Sequence, residues 1–348
     1  MFFNRICILL FLSTSVITHT HEYLLGVVVD KYRVMAGLFS TQDAMFVDIR
    51  EQSIDTIGDF NECMVGLHAS LSQQYNISIK CACIAVSGNT QPSKDYIQSP
   101  HLSFPIDGAL IGALCDMETV FVINDFEIIG YGLKNGGNHY CFAINDGVSQ
   151  DKAPRLILGA GAGLGSSLLV WNELAEQYEV LPLGACFTDF VPMNEEELAF
   201  ADFIRNKNGL ASWGYILGSK GGLCAVYEYI TGQSGDYTHP QAIFDNRFAD
   251  EACKQAVDFY MTLYTRLIRN AILFVQPYGG VYLVDNVVLQ NQMLFQDAEF
   301  LAALLDCHND TLKSILVQVP LYGLVEPAIE LYGTINYLMQ TLVEVNDL

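Results

Sequence analysis

The stretch Val120–Gly132, Val-Phe-Val-Ile-Asn-Asp-Phe-Glu-Ile-Ile-Gly-Tyr-Gly, constrains the fold more than any other. It opens as a β-branched, apolar run, passes through the polar pair Asn124-Asp125 and continues in a helix-like pattern. A buried strand that hands directly to a helix is a unit of an α/β sheet. A carboxylate at the carboxyl end of such a strand is a common place for chemistry. Asp125 therefore reads in two ways. It is a base that takes a proton from a substrate hydroxyl, because an alcohol is a poor nucleophile at neutral pH. Or it belongs, with Asn124, to an Asx turn or helix cap. The local pattern leaves both open.

The surrounding segments support α/β architecture throughout. Tyr23–Asp30 and Arg33–Phe39 read as strands joined by a tight connection at Asp30–Tyr32. Ile54–Tyr75 has helical period, Ile77–Val86 reads as a buried strand, and Ile106–Cys115 as a short helix. The loop between them, Ser87–Asp95, is rich in Gly, Asn, Ser and Pro. The order β-β-α-β-α-β predicts a mixed sheet, with a hairpin first and parallel pairs after it. Beyond the polar segment Lys134–Asp151, Arg155–Trp171 reads as strand, Gly-rich turn, strand. Asn194–Asn206, Gly221–Thr231, Phe248–Phe274, Glu299–Leu305 and Glu326–Leu342 read as helices; Gly279–Asn286 and Leu316–Tyr322 read as strands. Asn194 is placed to cap its helix, with Glu195–Glu197 in the first turn.

With 348 residues and 51% hydrophobic content, the chain can build about two domains. The expected division is 1–21 as an extension or signal-like segment, 22–135 as a small α/β domain and 136–325 as a large one. The closing helix, 326–348, is free to pack on the small domain. A net charge of −22 repels phosphate backbones and excludes nucleic acid as a partner. The ten cysteines are scattered, with no Cys-x-x-Cys pair and no zinc spacing. They read as small core residues in a reducing, cytoplasmic compartment. Cys81-Ala-Cys83 lies in a strand and should point both thiols to one sheet face. Met1–Ile17 resembles a short export signal without an Ala-x-Ala site, and is too short for a stable membrane span.

The Gly-rich stretch Gly159-Ala-Gly-Ala-Gly-Leu-Gly165 matches neither the dinucleotide fingerprint nor a Walker loop, since no Lys follows. Apolar β-like residues on both sides make it a hairpin turn. Its backbone amides either cradle an anion or only serve a tight turn.

In order along the chain, the best-defined motifs are Ile123-Asn-Asp-Phe-Glu127, Leu158-Gly-Ala-Gly-Ala-Gly-Leu-Gly165, Leu181-Pro182 with Thr188-Asp-Phe-Val-Pro192, and Asn194-Glu-Glu-Glu197. Ser212-Trp213, Gly222-Leu223 with Tyr227, Gly279-Gly-Val-Tyr-Leu283 and Val319-Pro-Leu-Tyr322 follow. Together, in this order, they resemble the bacterial glucokinase family, from about Leu25 to about Leu342. The resemblance implies a two-domain actin-like ATPase (ribonuclease H-like) fold, each lobe a mixed sheet flanked by helices. It implies transfer of the γ-phosphoryl group of ATP, as its Mg2+ complex, to glucose or another hexose. Asp125 becomes the general base, Asn124 a sugar ligand, and Arg33 with Gly159, Gly161, Gly163 and Gly165 the phosphate-binding set. A homodimer is an assembly open to such a chain.

Several positions depart from the family. Its first phosphate turn, Asp-x-Gly-Gly-Thr-x-x-Arg, stands here as Gly26-Val-Val-Val-Asp30-Lys-Tyr-Arg33. Valines do not readily supply such a turn, and Asp30 adds repulsion toward phosphate. Ala162 replaces a phosphate-binding threonine. Gly184, Phe187 and Gly214 replace a glutamate, a histidine and a second glutamate of the sugar site. Asp285-Asn286 replaces two glycines on the nucleotide side. These replacements leave two readings: a sugar kinase with impaired turnover, and a catalytically silent homologue with a binding or regulatory role. A third places another acceptor in an apolar pocket of Cys186, Phe187 and Trp213, residues that core packing explains equally.

Overall fold

The computed structural model describes residues 21–30, 33–54, 56–134, 141–160, 163–218, 222–233, 235, 237, 239–307 and 309–346. The signal-like segment, Lys31, Gly161 and Ala162 lie outside the described residues. In chain order the first elements are β1 (Tyr23–Asp30), β2 (Arg33–Ser40), β3 (Met45–Ser53), α1 (Ile57–Tyr75), β4 (Cys81–Val86), β5 (Tyr96–Gln98), β6 (Pro105–Asp107), α2 (Gly108–Cys115), β7 (Thr119–Asn124) and α3 (Asp125–Leu133). There follow β8 (Cys141–Ala143), β9 (Arg155–Ala160), β10 (Leu164–Asn172), β11 (Gln177–Pro182), α4 (Glu195–Asn208), α5 (Trp213–Leu217), α6 (Gly222–Thr231), α7 (Pro240–Asn246) and α8 (Glu251–Val275). The last are β12 (Gly280–Leu283), α9 (Asn286–Gln290), α10 (Gln292–Phe295), α11 (Ala298–Leu304), α12 (Asp310–Gln318), β13 (Leu321–Leu324) and α13 (Ile329–Asn346). Two compact units result, Met1–Gly137 with Pro327–Leu348, and Asn138–Glu326.

The first unit is built on a mixed sheet of order β3-β2-β1-β4-β7. β1 and β2 form an antiparallel hairpin with Asp30 opposite Arg33; β1, β4 and β7 run parallel. Val27, Ile84 and Val122 face a core shared with Phe60, Leu67 and Ile111 of α1 and α2. Cys81 and Cys83 are fully buried in β4, both free, as are all the described cysteines. They lie at alternate positions from Ala82 and Ile84, so both thiols share one face. α3 and α13 belong together in this unit. Tyr337 of α13 meets Phe121 and Tyr131 edge-on, at 5.2 and 5.1 Å between ring centres. Asn336 Nδ2 donates to the Tyr131 carbonyl at 2.9 Å. At Gly333 the helix backbones approach so closely that a methyl group would overlap the Ile128 carbonyl.

The second unit has a sheet of order β11-β10-β9-β12-β13-β8. Its core centres on α8, whose Tyr260, Leu263, Tyr264 and Ile268 are fully buried among residues of β9, β12, α4 and α6. The cap expected at Asn194 is present: its Oδ1 accepts from the Glu197 N–H at 2.8 Å. Glu197 also accepts from the Met193 N–H at 2.7 Å, and both its oxygens take the single Nη1 of buried Arg266 at 2.9 and 2.7 Å.

The structure departs from the sequence expectations where charge masks a strand or apolar runs are short. β3 is an edge strand carrying Asp48, Arg50, Glu51 and Gln52, so it lacks apolar alternation. The run Leu316–Tyr322 is not one strand. It is the end of α12, capped by Asn309, then Pro320, then β13. A short apolar run does not distinguish the two by periodicity. Likewise the strand expected over Gly279–Asn286 stops at Leu283, and Asp285 caps a helix.

If the α3–α13 contact holds this unit together, Gly333→Ala should lower stability by roughly 1–3 kcal/mol through overpacking. Gly66→Ala, on an open face of α1, should instead be neutral or stabilising by up to about 1 kcal/mol. Urea unfolding of the two variants beside wild type checks both.

Candidate active site

In the first unit the parallel register places Val29 beside Val86 and Val86 beside Asn124. Asp30, the Ser87–Asp95 loop and Asn124-Asp125 therefore leave the sheet at one level, at the carboxyl ends of its parallel strands. This is where α/β sheets bind ligands, because the loops and helix amino termini converge there.

Asn124 caps α3 through its side chain. Its Oδ1 accepts from the Glu127 N–H at 3.1 Å, and its Nδ2 donates to the Gly88 carbonyl at 2.7 Å. The Asn124 N–H donates to Thr90 Oγ1 at 2.8 Å. Asp125 is the first helical residue and is partly buried; its Oδ1 accepts from the Phe126 N–H at 2.9 Å. The cap is thus Asn124, and Asp125 keeps a carboxylate at the helix amino terminus. Burial pushes its pKa up to about 6, against the pull of the backbone amides of Phe126 and Asp125 itself; the charge of Asp30 pushes it further up.

Sequence reasoning missed Glu330. It sits in the first turn of α13 between apolar residues, with no motif around it. Burial first, then the charges of Asp125 and Asp30, raise its pKa to about 8, and Arg33 lowers it. At neutral pH Glu330 is therefore protonated and Asp125 mostly ionised. Two carboxyls pushed apart in this way are a recognised acid–base arrangement. Arg33 starts β2 and pairs with Glu51 at 3.6 Å, both half exposed, a contact of little energetic weight. Among the described residues no group of three His, Cys, Asp or Glu could hold a metal ion.

In the second unit the Gly-rich stretch is a hairpin, as read from its flanks. Gly159 is opposite Gly165 and Ala160 opposite Leu164. Gly163 is the first described residue after Ala160. The Ala160 N–H donates to Asp285 Oδ2 at 3.0 Å. Asp285 also accepts from the Tyr264 hydroxyl at 2.8 Å and from the Val288 N–H at 2.7 Å. Burial raises its pKa, and these donors oppose that rise.

The residues Cys186, Phe187 and Trp213 do not share one environment. Phe187 is 70% exposed, whereas Trp213 is 6% exposed and packs edge-on to Phe190 at 5.0 Å, beneath Arg266. At Gly214, a side chain would begin 2.8 Å from the Cys186 carbonyl, so a carboxylate there requires the Ala185–Phe187 turn to move.

A family model described as Glucokinase matches residues 37–341. Curated relatives include a glucokinase of Trichormus variabilis, 23% identical over 279 residues, which are 72% of this chain and 80% of that one. A glucokinase of Photorhabdus laumondii is 25% identical, over 78% of this chain and 84% of its own. Among solved structures, a Balamuthia mandrillaris glucokinase in complex with glucose superposes with a TM-score of 0.77, 18% identity and coverage of 93% and 95% of the two chains. A hexokinase of the ROK family from Thermus thermophilus gives 0.62, 14%, 93% and 99%. These neighbours are sugar kinases of the actin-like ATPase fold, and the fold of this chain is theirs.

The raised Asp125 pKa has a consequence for stability. The folded state holds that proton more tightly than the unfolded chain, so the contribution of Asp125 to stability falls as pH rises from about 4 to about 6 and is level above, while that of Glu330 goes on falling to about pH 8. Asp125→Asn removes this loss. Denaturant unfolding should show it more stable than wild type by about 1–2 kcal/mol at pH 7.5, after allowing for partial exposure, and no more stable at pH 4.

Proposed function

The chain belongs to the glucokinase family, and from that premise we propose that it phosphorylates a hexose at the expense of ATP, with Asp125 as the general base. The observation that carries this reading is the placement of Asp125. It stands at the carboxyl end of β7 on the amino terminus of α3, and its pKa of about 6 suits proton abstraction near neutrality.

In this reading the sugar is glucose and the acceptor its 6-hydroxyl. Asp125 takes the hydroxyl proton as the oxygen bonds to the γ-phosphorus, and the bond from that phosphorus to the bridging oxygen breaks, releasing ADP. The transition state is loose, so positioning and charge neutralisation supply most of the catalysis. Asn124 is the adjoining sugar contact: its amide is fixed by Gly88 and the Glu127 N–H and also hydrogen-bonds Asp125, so it holds the base and the sugar site together. Protonated Glu330 limits the negative charge beside the base. Magnesium would enter on the polyphosphate with its own waters, as it commonly does. Arg33 and the hairpin Gly159, Gly161, Gly163 and Gly165 are the proposed phosphate contacts.

One observation favours the second reading, a silent homologue that binds without turnover. The amide at the root of the glycine hairpin is already held by Asp285, a carboxyl group of the chain itself. Calorimetry with ATP–magnesium, with and without glucose, read beside a phosphorylation assay, separates the two: binding of both with measurable phosphorylation refutes the silent reading, and binding without phosphorylation refutes the kinase reading.

A coupled assay with glucose, ATP and magnesium should show turnover that Asp125→Ala lowers by about 100-fold or more. The kcat/KM profile should fall toward acid around pH 6, where Asp125 takes up its proton. Turnover that survives unchanged in Asp125→Ala removes this residue from the reaction.

A further inference from the structure

The Ser87–Asp95 loop has no part in the chemistry above, yet it is tied to the base at several points. The Asn124 N–H donates to Thr90 Oγ1 at 2.8 Å, and Thr90 Oγ1 donates to Glu127 Oε2 at 3.1 Å. Asn124 Nδ2 reaches the Gly88 carbonyl at 2.7 Å, and the Val122 N–H reaches the Lys94 carbonyl at 2.8 Å. Lys94 Nζ stands 3.7 Å from Glu127 Oε1 and 5.0 Å from the centre of the Tyr337 ring. The loop turns at Lys94 with a left-handed backbone, φ 54°, closed by the Lys94 N–H on the Gln91 carbonyl at 2.9 Å.

Glu127 is the centre of this set and is only 3% exposed. Capping does not need its carboxylate, because Asn124 Oδ1 uses the Glu127 backbone N–H, which any residue except proline supplies. A buried carboxylate is costly without a partner, and a buried ion pair gives little net stability over apolar packing. What such a pair does provide is a fixed geometry. Here the fixed elements are the two turns that bracket Asp125: the loop after β4 and the first turn of α3.

We propose that Thr90 and Lys94 are positioning residues for the acceptor side of the site, acting through Glu127 and Asn124 to fix the first turn of α3 and with it the Asp125 carboxylate. The inference rests on the reading of Asp125 as the base. It adds a loop that lies outside every motif of the family resemblance. Glu127 is held by a cation at 3.7 Å and a hydroxyl at 3.1 Å, and the set acts through that geometry. The charge that bears on Asp125 directly is a different one, Asp30 from β1; Glu330 from α13 is itself raised by Asp125 and holds its proton while Asp125 titrates.

The test compares wild type with Thr90→Val, Thr90→Ser, Lys94→Met, Asp125→Asn and the double variant Thr90→Val/Asp125→Asn. Thr90→Val and Lys94→Met should each lower kcat by about 10-fold or more, with a smaller change in KM for ATP, because small displacements of a catalytic group cost rate. Thr90→Ser, which keeps the hydroxyl, should restore most of the loss. In the Asp125→Asn background, Thr90→Val should add nothing. Independently of turnover, a carbon-13 carboxyl titration should find the Asp125 midpoint higher in Thr90→Val and Lys94→Met by about half a pH unit or more, as the loosened turn withdraws its amides from the carboxylate. If Thr90→Val does not fold, Lys94→Met, at a half-exposed side chain, carries the same comparison. Wild-type values of both kcat and the Asp125 midpoint in the two variants overturn the proposal. Should wild type show no turnover, the kinase reading fails, and the titration still decides whether the loop positions Asp125.

Discussion

Everything at the candidate site depends on a shared level at which three parallel strands end. The pairing of Val29 with Val86, and of Val86 with Asn124, fixes that level to within a residue. A shift of one residue in either pair would turn side chains to the opposite sheet face, and the buried valines, isoleucines and thiols of β1, β4 and β7 forbid it. Register is therefore set by the core, and the polar residues beyond the last paired positions inherit their geometry from it. Asp30, Thr90 and Asn124-Asp125 are distant in sequence and become neighbours only because apolar strands upstream of them are aligned.

The electrostatics follow from that convergence. Asp30, Asp125 and Glu330 gather negative charge in one unit of a chain whose net charge is already −22. Three ionised carboxylates in a partly desolvated place would oppose folding. Keeping Glu330 protonated relieves this, since its proton is lost only as pH rises through about 8. Burial, the largest cause at both groups, raises Glu330 and Asp125 together, and the charge of Asp30 adds to each, so one physical cause both limits the repulsion and moves a carboxylate into the range useful to a base. Burial raises the Glu127 pKa as well, and there the Lys94 charge and the Thr90 hydroxyl oppose the rise.

Much of this was legible in the sequence, and the remainder was not for reasons of scale. The hairpin of β1 and β2, the βα unit at Val120–Gly132, the glycine hairpin and the Asn194 cap follow from local pattern and turn chemistry. β3 did not, because an edge strand facing water carries charges where a core strand carries valine. The pair Asn124-Asp125 could be located but its roles could not be separated; that needed the hydrogen bonds that give the cap to Asn124 and leave the carboxylate to Asp125. Glu330 and Thr90 were invisible because their significance comes wholly from tertiary return, of the closing helix in one case and of a loop without periodicity in the other. Asp285 was placed one element too early. As the end of a strand it only adds bulk and charge near the polyphosphate, whereas the structure makes it a helix cap that accepts from Ala160, Tyr264 and Val288.

That last correction bears on how the second unit can treat an anion. A glycine hairpin offers backbone amides, and amides that point away from their own ladder are what a phosphate seeks. At the root of this hairpin the Ala160 amide has found a carboxylate within the chain, and the Tyr264 hydroxyl and the Val288 amide converge on the same group. An incoming polyphosphate would have to compete with Asp285 for that donor and approach its charge in a poorly screened place. A glycine at position 285 would leave the donor open but would remove the cap of α9, which typically holds a helix by about 1 kcal/mol. The replacement therefore couples two properties that a glycine keeps separate: order at the start of α9, and access to the hairpin. A chain that favours the first weakens the second, so the ordered start of α9 and the closed Ala160 amide have one origin in Asp285.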